Sequence, residues 1–229
     1  MTDGLDFVFP GMGPLWLSVQ LAAITTVVLI VIGTPLGWWL SRTSSRMKPV
    51  LEAAVALPIV LPPTVMGFYL LILLGPYGAF GGWWLEITGS SLTFSFAGLV
   101  IASCFYSLPF AVQPLQNAFE SLGRRDMEAA ATLGATPMDA FFSVAVPQSA
   151  RGFLNAVVLS FAHTLGEFGV VLMVGGNIPG ETRTISIAIY DQVETLDYAS
   201  AHVLSAMLLV FAFVALFVMF LINNRWQRR

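Results

Sequence analysis

An all-α integral membrane protein with five helical spans is what the sequence predicts, and three observations predict it. Of 229 residues, 57% are hydrophobic and only 10% charged, and the mean hydropathy is +0.81. A soluble domain carries about a quarter charged residues, so lipid is the solvent for most of this surface. Apolar stretches at about 14–40, 50–75, 94–119, 148–175 and 200–223 each reach the roughly 20 residues that a span needs. Nine of the ten basic residues fall into groups that an odd number of spans puts on one side. The whole chain, 1–229, reads as one membrane domain.

Span one follows an N-terminus that holds Asp3 and Asp6 and no Lys or Arg. Its apolar run exceeds the core of a signal peptide, so it is expected to stay in the membrane. Arg42, Arg46 and Lys48 follow it, Arg124, Arg125 and Arg151 lie between spans three and four, and Arg225, Arg228 and Arg229 close the chain. The N-terminus is therefore expected outside and the C-terminus inside, with Arg183 alone outside. Span two contains Pro58, Pro62 and Pro63, and proline frees carbonyls that protein or a water-lined cavity must satisfy. That pattern fits a packing kink or a broken helix along a pathway. The Gly- and aromatic-rich stretch 75–91, with Trp83 and Trp84, suits packing and interfacial anchoring. Cys104, the single cysteine, sits in span three as a small hydrophobe and can form no internal disulfide.

The loop 120–147 is the longest polar stretch. Asp126 is expected to cap a helix through Glu128 to Leu133, with Gly134 as its stop. Pro137 suits the first turn of a second short helix with Met138, Phe141 and Phe142 on one apolar side, and Pro147 leads into span four. Two such helices read either as a docking element for a soluble partner or as a hairpin packed on its own membrane domain. Span four carries Glu167, costly at membrane depth by roughly 2.5–3.5 kcal/mol, so the carboxyl must face protein. It suits gate structure better than an anion ligand, which it would repel. Glu167 is expected to be paired, hydrogen-bonded to backbone or neutral; His163, four residues earlier, reads as a local partner for it or as an uncharged polar residue satisfied by a neighbour, and Gly166 and Gly169 are expected to admit a neighbouring helix. In 184–199, Ile185, Ile189, Val193 and Leu196 recur at helical spacing among Asp191, Glu194 and Asp197. This is expected to be an amphipathic helix on the outer surface, the alternative being a sixth span.

The remaining signals exclude functions. A net charge of -3 and a pI near 5.3 leave no basic stripe for nucleic acid. No P-loop is present, since Lys48, the single lysine, is followed by Pro49. Energy from ATP must then come from another polypeptide. His163, Glu167 and His202 show no nucleophile–base spacing, which disfavours an enzyme; no metal ligand set stands out.

Glu128-Ala129-Ala130, Gly134 four residues on, and Val144-Ala145-Val146-Pro147 together resemble the EAA signature of ABC importer permeases. The resemblance implies the type I ABC importer permease fold. It also implies that residues 126–142 form coupling helices docking on an ATPase subunit, with Glu128, Ala129, Ala130, Gly134, Val144 and Pro147 at that contact. ATP and Mg would then belong to the partner, leaving this chain without a cofactor. The segments around Pro62 and Pro63, around Gly166, Glu167 and Gly169, and Asn177-Ile178-Pro179-Gly180-Glu181-Thr182-Arg183-Thr184 are similar to the molybdate permease branch, which shares much with sulfate permeases. The likeness covers most of the chain from span two onward. It implies an oxyanion importer of a bacterial or archaeal cytoplasmic membrane, for molybdate or else sulfate or tungstate. Two permease copies, two ATPase subunits and a periplasmic or extracellular binding protein complete it. An ion-coupled secondary transporter or a channel remains the alternative class.

Overall fold

The computed structural model describes residues 12–227, with the side chains of all of these except 124 and 222–227. Asp3, Asp6, Arg228, Arg229 and the Arg225 side chain lie outside the described residues. Those described are helical or irregular, with no strand among them. α1 runs Met12–Arg42, α2 Lys48–Val60, α3 Pro63–Leu74, α4 Ala79–Thr88 and α5 Phe96–Glu120. The loop region holds α6 (Arg124–Thr132), α7 (Pro137–Ala140), a π-helical turn at Phe141–Ala145 and α8 (Val146–Gln148). α9 (Ala150–Leu165), α10 (Gly169–Gly175), α11 (Ile185–Glu194) and α12 (Tyr198–Gln227) complete the chain.

Three of these helices are long and apolar enough to cross a membrane alone: α1, α5 and α12. Two more crossings arise if each bent pair counts once, α2 with α3 at 112° and α9 with α10 at 61°. α1, α5 and α9 pack together as the centre of the bundle. Leu115, Phe119 and Ala156 are wholly buried where they meet, with Trp38, Phe141 and Phe153 against them. Gly37 lets α1 close on α5, since a Cβ there would stand 3.2 Å from the Gln116 amide nitrogen. α12 is lightly covered: Leu209, Val210, Phe213 and Phe217 are all exposed on this single chain. In a membrane protein such a face meets lipid or another subunit.

Two contacts sort the ends of the bundle. Lys48 Nζ reaches Glu120 Oε1 at 3.0 Å, tying the start of α2 to the end of α5. Glu120 is held below the usual carboxylate range by the Gln116 amide first and then Lys48. The Lys48 ammonium is raised above its ordinary value, chiefly by its bond to Glu120. At the other end the Ile185 amide donates to Ser18 Oγ at 2.8 Å, fastening α11 to the beginning of α1. Arg183 stands with this second end, bonded to Asn177 Oδ1 at 2.6 Å.

The structure adds a helix to one segment of the sequence reading and departs from it at another. The 75–91 stretch forms α4, ended by Gly89 at φ +71°; Trp84 packs on the core while Trp83 is exposed. Residues 185–194 are helical, but the buried face is Ile185, Ile187 and Ala188. Val193 and Leu196 are 42% and 70% exposed. The helix has turned its small residue, Ala188, toward its neighbours: it packs against α12 and α1 and does not present the four-residue stripe to a membrane surface.

Candidate functional site

The loop segment is built by three local devices. α6 starts at Gly123, which supplies no side-chain cap, and Asp126 sits in the first turn. The acid therefore acts on the helix dipole, not as the cap the sequence suggested. Gly134 ends α6 at φ +85°. Its N–H donates to Ala131 O and the Ala135 N–H to Ala130 O, both at 3.0 Å, the paired bonds of a Schellman stop. Thr136 then caps α7 in a reciprocal box with Asp139. These bonds to Thr136 hold the Asp139 carboxyl below its ordinary range.

The segment has two distinct sides. Phe141 turns inward, its ring 5.0 Å from that of Trp38 on α1 and 6.1 Å from that of Phe119 on α5. Leu133, Met138 and Phe142 point outward at 88%, 66% and 63% exposure. Glu128, Ala129, Gly134 and Pro147 are exposed, Ala130 and Val144 half-buried. None of the described side chains of α6 is buried. The segment is thus held to the bundle through the Phe141 ring and leaves its other face exposed. The sequence placed Phe141 with Met138 and Phe142 on one face; the π-helical turn that starts at Phe141 separates them.

The second constellation is where the two bent pairs meet. α2 ends at Leu61, and Pro62 and Pro63 have no N–H to continue it. α9 ends at Leu165, and Gly166, Glu167 and Phe168 bridge to α10. The breaks lie against each other: a Cβ on Gly169 would stand 2.7 Å from Pro63 Cβ, and one on Gly67 2.8 Å from Met173 Cβ. The structure thus joins Pro63 and Gly169 directly. Gly166 has a different role, because a Cβ there would meet only carbonyls of its own helix, at 3.7 Å or more.

Glu167 is 5% exposed at the break. The Ser103 hydroxyl of α5 is near enough to act on its carboxyl, yet neither group attains a hydrogen bond of normal geometry among the described residues. The pairing with His163 is absent. His163 Nδ1 instead shares a hydrogen bond with Ser107 Oγ at 2.9 Å, and its ring stacks on Phe110 at 4.0 Å. The helix stops two residues before Glu167, so the four-residue geometry that would have joined them does not exist. Ser103 escaped the sequence reading, since a lone serine in an apolar run carries no signal. Among the described residues no three His, Cys, Asp or Glu stand together as metal ligands.

Residues 30–228 match the family of binding-protein-dependent transport system inner membrane components. The chain belongs to that family. It is accordingly a multi-pass inner-membrane transport subunit and not an enzyme. It is 56% identical over 204 residues, 89% of this chain and 90% of the relative, to the molybdenum transport system permease protein of Azotobacter vinelandii. It is 33% identical to the sulfate transport system permease protein of Escherichia coli, over 91% of this chain and 75% of that one. Its fold is similar to that of a chain of the MetNI methionine ABC transporter in inward facing conformations: TM-score 0.73, 15% identity, 98% of this chain and 99% of that one. The fold is that of the type I ABC importer permeases.

Proposed function

We propose that this chain is the permease of an ATP-driven molybdate importer. The observation that carries the reading is the 56% identity to the Azotobacter vinelandii molybdenum permease, spread over nine-tenths of both chains. The lower identity to a sulfate permease makes sulfate the second reading, and tungstate shares the same chemistry.

In this reading two copies pair about a central seam, supported by the apolar faces left open on α12 and α3. The basic end, with Arg42, Lys48, Arg125 and Arg151, faces the cytoplasm. There residues 126–142 seat in an ATPase subunit that carries ATP and Mg, with Glu128, Ala129, Ala130 and Gly134 at the contact and Val144 and Pro147 transmitting it toward span four. A loaded oxyanion-binding protein docks at the opposite end. ATP closes the ATPase subunits, the coupling helices are drawn together, and Phe141 carries the movement to α1 and α5. The breaks at Pro62, Pro63, Gly166, Glu167 and Gly169 serve as the gate: two helices broken where they touch can re-angle there without breaking backbone bonds elsewhere. Hydrolysis resets the inward-facing state.

The test is uptake of labelled molybdate in cells lacking their own carriers and expressing this chain with its ATPase and binding protein. ATP-dependent uptake that excess sulfate leaves intact is expected. Equal competition by sulfate would broaden the cargo to oxyanions, and no uptake from an assembled complex would overturn the anion reading.

A further inference from the structure

Where α5 and α9 converge at the basic end, a cavity of about 870 Å³ lies open. Gly152 brings the two helices into contact against Ala118 at its wall. Asn117, Gln148, Ser149, Arg151 and Asn155 line it, and no carboxylate does. Asn117, Gln148, Arg151 and Asn155 are exposed, and no hydrogen bond or ion pair is made by their side chains among the described residues. Ser149 is 1% exposed with its hydroxyl unpartnered. It occupies the N-cap of the 16-residue α9 and yet makes no side-chain cap bond.

Two features are unfavourable in an empty site. The Ser149 hydroxyl is buried without a partner. An arginine in the first turn of a helix is repelled by the dipole, which is positive there. The exposed amides meet only water at this end of the bundle. Both features become favourable around an anion, which the helix terminus, the guanidinium and the amide donors attract together. The helix α3 carries no arginine or amide side chain, whereas this strip holds one arginine and three amides.

We infer that this cavity is the inner end of the anion path and that Arg151, with Asn117, Gln148 and Asn155, holds the oxyanion transiently before release. This rests on the reading of the chain as an oxyanion permease. The binding is weak by construction, since the cavity is wide and open and only one full charge faces it, which suits a site that must let go.

The test uses the full complex with its ATPase in inside-out vesicles, in a Cys104→Ser background that retains uptake. Ser121→Cys, in the cavity lining but outside the set that holds the anion, is labelled there with a negatively charged thiol reagent, with molybdate, tungstate or sulfate present. The transported oxyanion is expected to slow labelling. Arg151→Gln is expected to abolish that protection and to lower uptake roughly tenfold, the factor for losing one charge-assisted hydrogen bond. Unchanged labelling, in a complex that does import an oxyanion, overturns the proposal while leaving the permease reading intact. Protection by sulfate alone upholds the site and overturns molybdate as cargo. Absence of uptake of every oxyanion overturns both. The Ser121→Cys result needs no change at any residue that holds the anion, so it decides the matter even where Arg151→Gln fails to assemble.

Discussion

Gly134 stands at the turn between the two helices of the loop, where the proposed coupling contact can be tested at a single residue. Its φ of +85° costs any other residue roughly 1–2 kcal/mol, and open space surrounds its Cα on this chain. A side chain added there meets nothing in the permease and is felt only by what docks on it. Gly134→Asp is therefore expected to insert and accumulate normally and to lose coupled uptake; normal uptake would remove the assignment of this loop. Glu167 is the opposite case, a group sealed inside. Its carboxyl oxygens find no partner of good geometry, so Glu167→Gln, which keeps volume and polarity, is expected to leave the Tm of the solubilised complex equal or higher. A fall of more than a few degrees, about 1 kcal/mol in a protein this size, would show that the carboxyl is holding something together.

At the scale of elements, the two broken helices are matched to each other. Gly169 faces Pro63 at a separation no methyl group can share, and overpacking of this kind costs about 1–3 kcal/mol. Gly169→Ala is expected to lower Tm and uptake together, while Gly166→Ala, with open space and an ordinary φ of −89°, is expected to lower neither. Equal effects at the two glycines would contradict the gate geometry. The prolines made this break legible in the sequence, because a missing N–H is a local fact. The 112° bend was not, since its size is set by what α3 packs against. The same division runs through the coupling segment. Gly134 and Pro137 marked the end of one helix and the start of the next, both decided by their own backbones. The inward turn of Phe141 depends on Trp38, about a hundred residues earlier, and no local pattern announces it. His163 is satisfied by a neighbour, Ser107, one of the two readings the sequence allowed; the other, pairing with Glu167, fails because spacing implies contact only while the helix lasts, and α9 ends at Leu165.

On the scale of the whole molecule, the described residues leave an apolar face exposed on α12 and an exposed face on the loop 120–147. The parts of the chain nonetheless connect. The end that carries Arg183 is tied to α1 through Ser18, α1 is tied to the coupling segment through Trp38 and Phe141, and that path spans the bundle from one end to the other. The central claim is that a binding protein at one end controls ATP hydrolysis at the other through this chain. The most direct measurement is ATPase activity of the reconstituted complex with and without molybdate-loaded binding protein, compared between the unaltered chain and Gly134→Asp. Stimulation by the loaded protein, lost in Gly134→Asp although the complex still assembles, is the expected result. Hydrolysis that ignores the loaded binding protein in the unaltered complex, or stimulation that survives Gly134→Asp undiminished, would contradict it.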